Sequence, residues 1–168
     1  MNNTKTLKEV FDKQKQSNER SNKQEDIEDV LQVIGFIVGN EEFAVPILNV
    51  IEIVKPIEHT RVPGTPNYVL GVFNLRGNVF PLINLRLKFG ISVAKQDKDT
   101  RYLVVRHNDQ IAGFVIDKLT EAIRFKKSDI DPVPETLAEQ HDLMYGVGKR
   151  EDRLVTILKI ETLLKRDF

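Results

Sequence analysis

The sequence predicts an all-β fold of two packed five-stranded barrels, with short helices and a disordered polar tail at the N-terminus. Three observations predict it. From Val30 onward, apolar runs of strand length are separated by turn residues, and those runs recur later in the chain with the same spacing. Each half, roughly residues 32–98 and 99–168, holds about five short strands, and closure into a small barrel is the economical way to remove their exposed edges.

Residues 1–29 consist almost entirely of Lys, Gln, Asn, Glu, Asp and Ser, with Leu7, Val10, Phe11 and Ile27 as the sizeable apolar side chains. Such a stretch buries too little area to offset the entropy of ordering it. Leu7, Val10 and Phe11 are spaced to share one face of a short helix formed on a partner. Val33 to Val38, then Gly39-Asn40, then Phe43 to Ile47 read as a hairpin, and Tyr102 to Val105, Asn108-Asp109 and Ile111 to Ile116 repeat that design. Phe43-Ala44 to Ile47 overlays Ile111-Ala112 to Val115 at a shift of 68, and one residue later Val50, Glu52 and Ile53 fall on Leu119, Glu121 and Ala122. Leu70-Gly71-Val72 and Val79 to Leu85 overlay Tyr145-Gly146-Val147 and Leu154 to Ile160 at a constant shift of 75. Residues 50–54, 85–89 and 160–165 are short enough to be strands or single helical turns.

Composition narrows the function classes. The 168 residues carry 25 basic and 25 acidic side chains and no net charge, so the broad positive field of a nucleic-acid binder is missing. There is no cysteine, which removes disulfides and thiolate metal sites and fits a reducing compartment. The first residues are polar and charged, and no run approaches the ~18 apolar residues of a membrane span, so a soluble, cytosolic protein without direct membrane contact is expected. His59, His107 and His141 each sit in a polar stretch, without a second histidine at ligand spacing. Ser17, Ser21, Ser92 and Ser128 have no nucleophile-elbow context. Asp117, Glu121, Asp129 and Asp131 form a local acidic run, but the last two flank Ile130 before Pro132, where aspartate is a turn former. Gly146-x-Gly148 is too little for a nucleotide loop. No catalytic residue, cofactor or metal is expected, and the chain does not read as an enzyme.

The most specific stretch is Gly71-Val72-Phe73-Asn74-Leu75-Arg76-Gly77-Asn78-Val79-Phe80-Pro81-Leu82-Ile83-Asn84-Leu85-Arg86. It places Arg76 and Gly77 at a turn between two apolar strands. The second half reads Arg150-Glu151-Asp152 at the matching point, so the turn closes there without an Arg-Gly pair. Arg76 and Gly77 are therefore assigned to function more than to the turn.

This segment resembles the signature of the CheW coupling-protein family. Further along the same resemblance are the strand and acidic turn over residues 36–47, Val50-Ile51-Glu52-Ile53, Val62-Pro63-Gly64-Thr65-Pro66, the stretch 111–122, Pro132-Val133-Pro134 and the closing residues 145–164, so it covers about residues 33–166. The resemblance implies SH3-like barrels, no catalytic activity and two protein-binding surfaces. One would meet the regulatory domain of the CheA histidine kinase and the other the cytoplasmic tip of a methyl-accepting chemotaxis receptor, where the two barrels meet. It assigns Val50, Ile51, Glu52, Arg76 and Gly77 to receptor binding, and Gly71, Ile53 and Val54 to kinase binding. Asn84 stands where many members carry aspartate. A CheV-like adaptor shares the module but needs a receiver domain for which the chain has no room. An RNA-binding SH3-like barrel is the rival from another class, and zero net charge counts against it.

Overall fold

The computed structural model describes residues 8–16, 29–137 and 141–165. Within the segment expected to be disordered, residues 8–16 form a helix, α1, with every residue exposed; the remainder of residues 1–28 lies outside the described residues. The chain then runs through β1 (Val30–Val38), β2 (Glu41–Pro46), β3 (Val50–Val54), β4 (Val69–Leu75), β5 (Asn78–Asn84) and α2 (Leu85–Lys88). The second half follows with β6 (Arg101–His107), β7 (Gln110–Ile116), β8 (Lys118–Lys126), β9 (Ile130–Asp131), β10 (Met144–Arg150), β11 (Arg153–Leu158) and α3 (Ile160–Leu163). Among the described residues no helix is long and apolar enough to cross a membrane.

Local sequence explains the elements. The hairpins turn at Gly39, Arg76-Gly77, Asn108 and Glu151, and each of these residues has positive φ, as a two-residue turn between right-twisted strands requires. α2 starts where Asn84 accepts a hydrogen bond from the Leu87 amide at 3.3 Å, so asparagine caps this helix as aspartate would. Residues 50–54 are a strand, while 85–88 and 160–163 are helical turns.

The strands form two sheets, ordered β8-β1-β2-β11-β10-β9 and β3-β6-β7-β5-β4. Each half lends its first hairpin to the other: β1–β2 joins the sheet of β8 to β11, and β6–β7 joins that of β3 to β5. The sequence boundary near residue 98 therefore does not separate the sheets. Parallel pairs, β11 on β2 and β5 on β7, stitch the lent hairpins in place. One sheet has six strands instead of five because β9 pairs with β10, whereas its counterpart is the single bridge between Thr60 and Val72.

The repeat holds at the level of hydrogen-bond register. Val72↔Pro81 to Leu75↔Asn78 recurs as Val147↔Thr156 to Arg150↔Arg153, a shift of 75, with a bulge before Gly71 and again before Gly146. The first hairpins correspond at 69, since Val38↔Glu41 matches His107↔Gln110. The shift of 68 read from apolar matching is thus one residue out. Both faces of β2 and β7 are buried, so the alternation that fixes register in a half-exposed strand is missing.

Three clusters fill the interior. Phe36, Phe43, Leu85, Leu103, Phe114, Leu158 and Leu163 belong to a shared core drawn from both sheets and both C-terminal helical turns. Val33, Ile123, Phe125 and Val155 fill the six-stranded sheet, and Phe73, Leu82, Tyr102 and Val104 fill the five-stranded one. The Phe73 ring lies where a Cβ on Gly113 would stand 2.7 Å away, and Phe125 covers Gly148 at the same distance. A clasp joins the sheets: Arg86 on α2 donates to Asp117 at 2.7 and 3.0 Å, and Asp117 accepts from the Gly39 amide at 2.8 Å.

Candidate functional site

β3 starts where the turn Ile47–Asn49 gives way to extended backbone, and Asn49 Nδ2 donates to the Arg106 carbonyl at 2.9 Å. It stands at the edge of the five-stranded sheet. Between Val50↔Val105 and Glu52↔Val104 the register slips by one residue at Ile51, a bulge that re-aims the side chains around it. Ile51 is left 50% exposed. Val50 and Ile53 lean on the shared core, and Val54 packs against the Phe73 and Tyr102 cluster.

The β4–β5 turn comes over this edge. Arg76 and Gly77, at φ 54° and 84°, are its two central residues, and the Gly77 amide donates to Asn74 Oδ1 at 3.1 Å. Arg76 Nη2 and Nε donate to the two oxygens of Glu52 at 2.9 and 3.2 Å, a two-pronged contact of the geometrically specific kind. The arginine side chain is 77% exposed and the glutamate 26%, so the guanidinium is held on one side and open to a partner on the other. The structure thus brings Val50, Ile51, Glu52, Arg76 and Gly77 onto one corner. Gly71 is different: it is buried in β4 under the Thr60 backbone, and any effect on a partner is relayed through the residues it supports.

Hydrogen bonds from Arg76 are the main cause holding the Glu52 carboxyl below its ordinary range; desolvation pushes it up, and the guanidinium charge adds to the lowering. The same contacts raise Arg76. A depressed folded value means that the pairing contributes fully at neutral pH and is lost as pH falls through that value. Carboxyl titration by NMR should therefore give Glu52 a lower midpoint in the wild type than in Arg76→Ala. Equal midpoints would mean that the fork does not exist in solution.

The second half carries a counterpart that the sequence reading did not anticipate. Glu121, which matches Glu52, accepts from Arg153 Nη2 at 2.7 Å and lies 3.1 Å from Arg150 Nε, an ion pair without hydrogen-bond alignment. Arg153 Nη1 is also 3.3 Å from Glu42, whose carboxylate accepts from Thr120 Oγ1 at 2.8 Å. These arginines flank the Glu151-Asp152 turn, whereas Arg76 sits within its own. A Glu-Arg pair is therefore common to both halves, and what sets Arg76 apart is exposure, 77% against 37% and 44%.

Within the acidic run, Asp117 pairs with Arg86 and Glu121 with Arg153, so these two carboxylates are held on separate cations. Among the described residues no group of three or more metal-ligating side chains comes together. Also missed was a groove at the foot of β1 and β2, two adjoining depressions of about 300 and 340 Å³ that share Leu31 and Pro46. Leu48, 96% exposed, and Tyr145, 47% exposed, border it. An apolar residue in the sequence Pro46-Ile47-Leu48-Asn49, between two strands, was the one available signal.

Residues 32–168 match the family described as the CheW-like domain. The chain belongs to the CheW family. It is 71% identical over 162 residues to Chemotaxis protein CheW of Helicobacter pylori, covering 96% of this chain and 98% of that protein. It is 34% identical over 135 residues to CheW of Klebsiella aerogenes, covering 79% and 80%. The crystal structure of scaffolding protein TtCheW from Thermoanaerobacter tengcongensis superposes with a TM-score of 0.75 at 30% identity, over 82% of this chain and 89% of that one. The two interlocked sheets are the CheW-like fold, and as a CheW protein this chain is a chemotaxis scaffold or adaptor and not an enzyme.

Proposed function

We infer that the protein is a cytoplasmic adaptor that couples a CheA histidine kinase, through its regulatory domain, to the cytoplasmic tip of a methyl-accepting chemoreceptor in membrane-associated arrays. The observation that carries this reading is the 71% identity, across almost the whole of both chains, to a chemotaxis CheW. The corner geometry supports it. Val50 and the exposed Ile51 offer apolar contact beside a charged fork, and a helical receptor tip would take affinity from the first and register from the second. Holding Arg76 on Glu52 before binding lowers the entropy lost in the complex. Val50, Ile51, Glu52, Arg76 and Gly77 form the receptor side of this reading. Ile53 and Val54, further along the same edge strand, belong to the kinase side, with Gly71 supporting the neighbouring backbone.

Sedimentation of the kinase with receptor-bearing membrane vesicles tests the reading. The kinase should pellet only when this protein is added, and the three should pellet together. Kinase that pellets equally well without it, or stays in solution with it, would sink the coupling role.

A further inference from the structure

The two halves cross between the sheets at matching places, and they close those crossings differently. The first half passes from β2 in the six-stranded sheet to β3 in the five-stranded one through Ile47–Asn49, and the second passes from β7 to β8 at Asp117. The shift of 69 that aligns the first hairpins, and Val50, Glu52 and Ile53 with Leu119, Glu121 and Ala122, carries Leu48 onto Asp117. Asp117 is tied into the body by Arg86 and the Gly39 amide. At the first crossing the residue matching Arg86 is Glu161, no clasp forms, and Leu48 is left 96% exposed.

A lone surface leucine is ordinary, but this one has company. Ile51, half-exposed, follows three residues later, a span of at most ~10 Å, which matches one to two turns of a helix at about 5.4 Å per turn. Cations flank the apolar pair. Arg76 stands on the Ile51 side, held on Glu52, the next residue of β3. Arg124 stands on the Leu48 side: it is the register partner of Gln32 in β1 and β8, and it lines one depression with Leu31, Pro46, Ile47 and Leu48. No carboxylate lines that depression. Arg124 is exposed and makes no hydrogen bond or ion pair among the described residues. A second copy of the chain is a poor occupant, because pairing this surface with itself sets Arg76 and Arg124 of one molecule against the same cations of the other.

We propose that the receptor-binding corner continues across the crossing to Leu48 and Arg124. It takes an amphipathic helix whose apolar stripe covers Leu48 and Ile51 and whose carboxylates meet Arg76 at one end and Arg124 at the other. The apolar stripe supplies affinity, and the two cations fix the direction in which the helix lies. This extension rests on the receptor reading of the corner and adds to it the acidic character of the helix and two further contact residues.

Calorimetric titration of the full chain with a soluble fragment of a chemoreceptor's cytoplasmic tip, alongside urea melts, tests it. Leu48→Ser and Arg124→Glu should each weaken binding by roughly tenfold or more. Both side chains are exposed, so the urea midpoint should stay where it is. Leu154→Ser removes another exposed leucine, on β11, and should bind as the wild type does. Raising the salt concentration should weaken the wild-type complex more than the Arg124→Gln complex. Wild-type affinity in both Leu48→Ser and Arg124→Glu, with Arg76→Asn weakened, overturns the extension and leaves the receptor reading of the corner standing. Equal weakening by Leu48→Ser and Leu154→Ser also overturns it, since it reports a general loss of apolar surface. A fragment that the wild type itself does not bind removes the receptor reading, and this extension with it.

Discussion

Alanine at position 71 should destabilise the fold by about 3 kcal/mol or more, because its backbone is strained for an L side chain and its surroundings are rigid. Gly71 has φ 148°, and a Cβ there would lie 2.0 Å from the Thr60 carbonyl oxygen and 2.9 Å from the Arg61 Cα. These are backbone atoms, held by reciprocal hydrogen bonds between Thr60 and Val72, each 2.8 Å. The repeat supplies a milder comparison in Gly146→Ala. There φ is not positive, and the close atoms, the Ile130 Cγ2 methyl at 2.6 Å and the Asp131 carbonyl oxygen at 2.8 Å, stand farther off than the Thr60 oxygen does from position 71. Urea melts of the two variants should show the larger loss for Gly71→Ala. A loss below about 1 kcal/mol would mean that residues 60–61 move aside freely. With such a cost, weaker kinase binding by a Gly71 variant reports a displaced Thr60–Arg61 segment and not a lost contact.

The parts of the fold that the sequence disclosed are those in which local chemistry decides the outcome. Positive-φ turns at Gly39, Arg76-Gly77 and Asn108 marked three hairpins, and the shift of 75 carried over to every pair from Val72↔Pro81 to Leu75↔Asn78. The exchange of hairpins between halves left no such trace. β2 pairs with β11 more than a hundred residues away, and an edge strand is satisfied by any compatible partner, so nothing local records which sheet it joins. The slip from 69 to 68 arose where both strand faces are buried, and matching apolar residues favoured Phe43 on Ile111 over the true partner, Ala112. In the site, Glu52 and Arg76 were singled out separately, but their pairing needed the β3 bulge and the overhanging turn. Arg150 and Arg153 fall on Leu75 and Asn78 in the repeat, so overlay could not reveal that they serve Glu121 as Arg76 serves Glu52. Leu48 became visible only through the shape around it.

Because a Glu-Arg pair occurs in both halves, the value of Arg76 to binding has to be separated from its part in closing the sheet, and Arg76→Asn does so. Arg76 sits at φ 54° in the first position of a two-residue turn, where asparagine is among the favoured residues and arginine is not. Asparagine should therefore keep or slightly raise the urea midpoint while removing the fork to Glu52. Against the receptor fragment, loss of the charge-assisted contact should weaken binding by roughly 30-fold, mostly through faster dissociation. Glu52→Gln should weaken the same complex without unfolding the protein. In the double variant the losses should sum to less than the two singles, since each single change already breaks the fork. Arg153→Asn serves as the internal comparison: it breaks the equivalent pair on Glu121 and Glu42, and with Arg76 intact the receptor fragment should bind as to the wild type. Equal weakening by Arg76→Asn and Arg153→Asn, or unchanged binding by Arg76→Asn, would remove the receptor contact from this turn and leave Arg76 a closing residue of the five-stranded sheet.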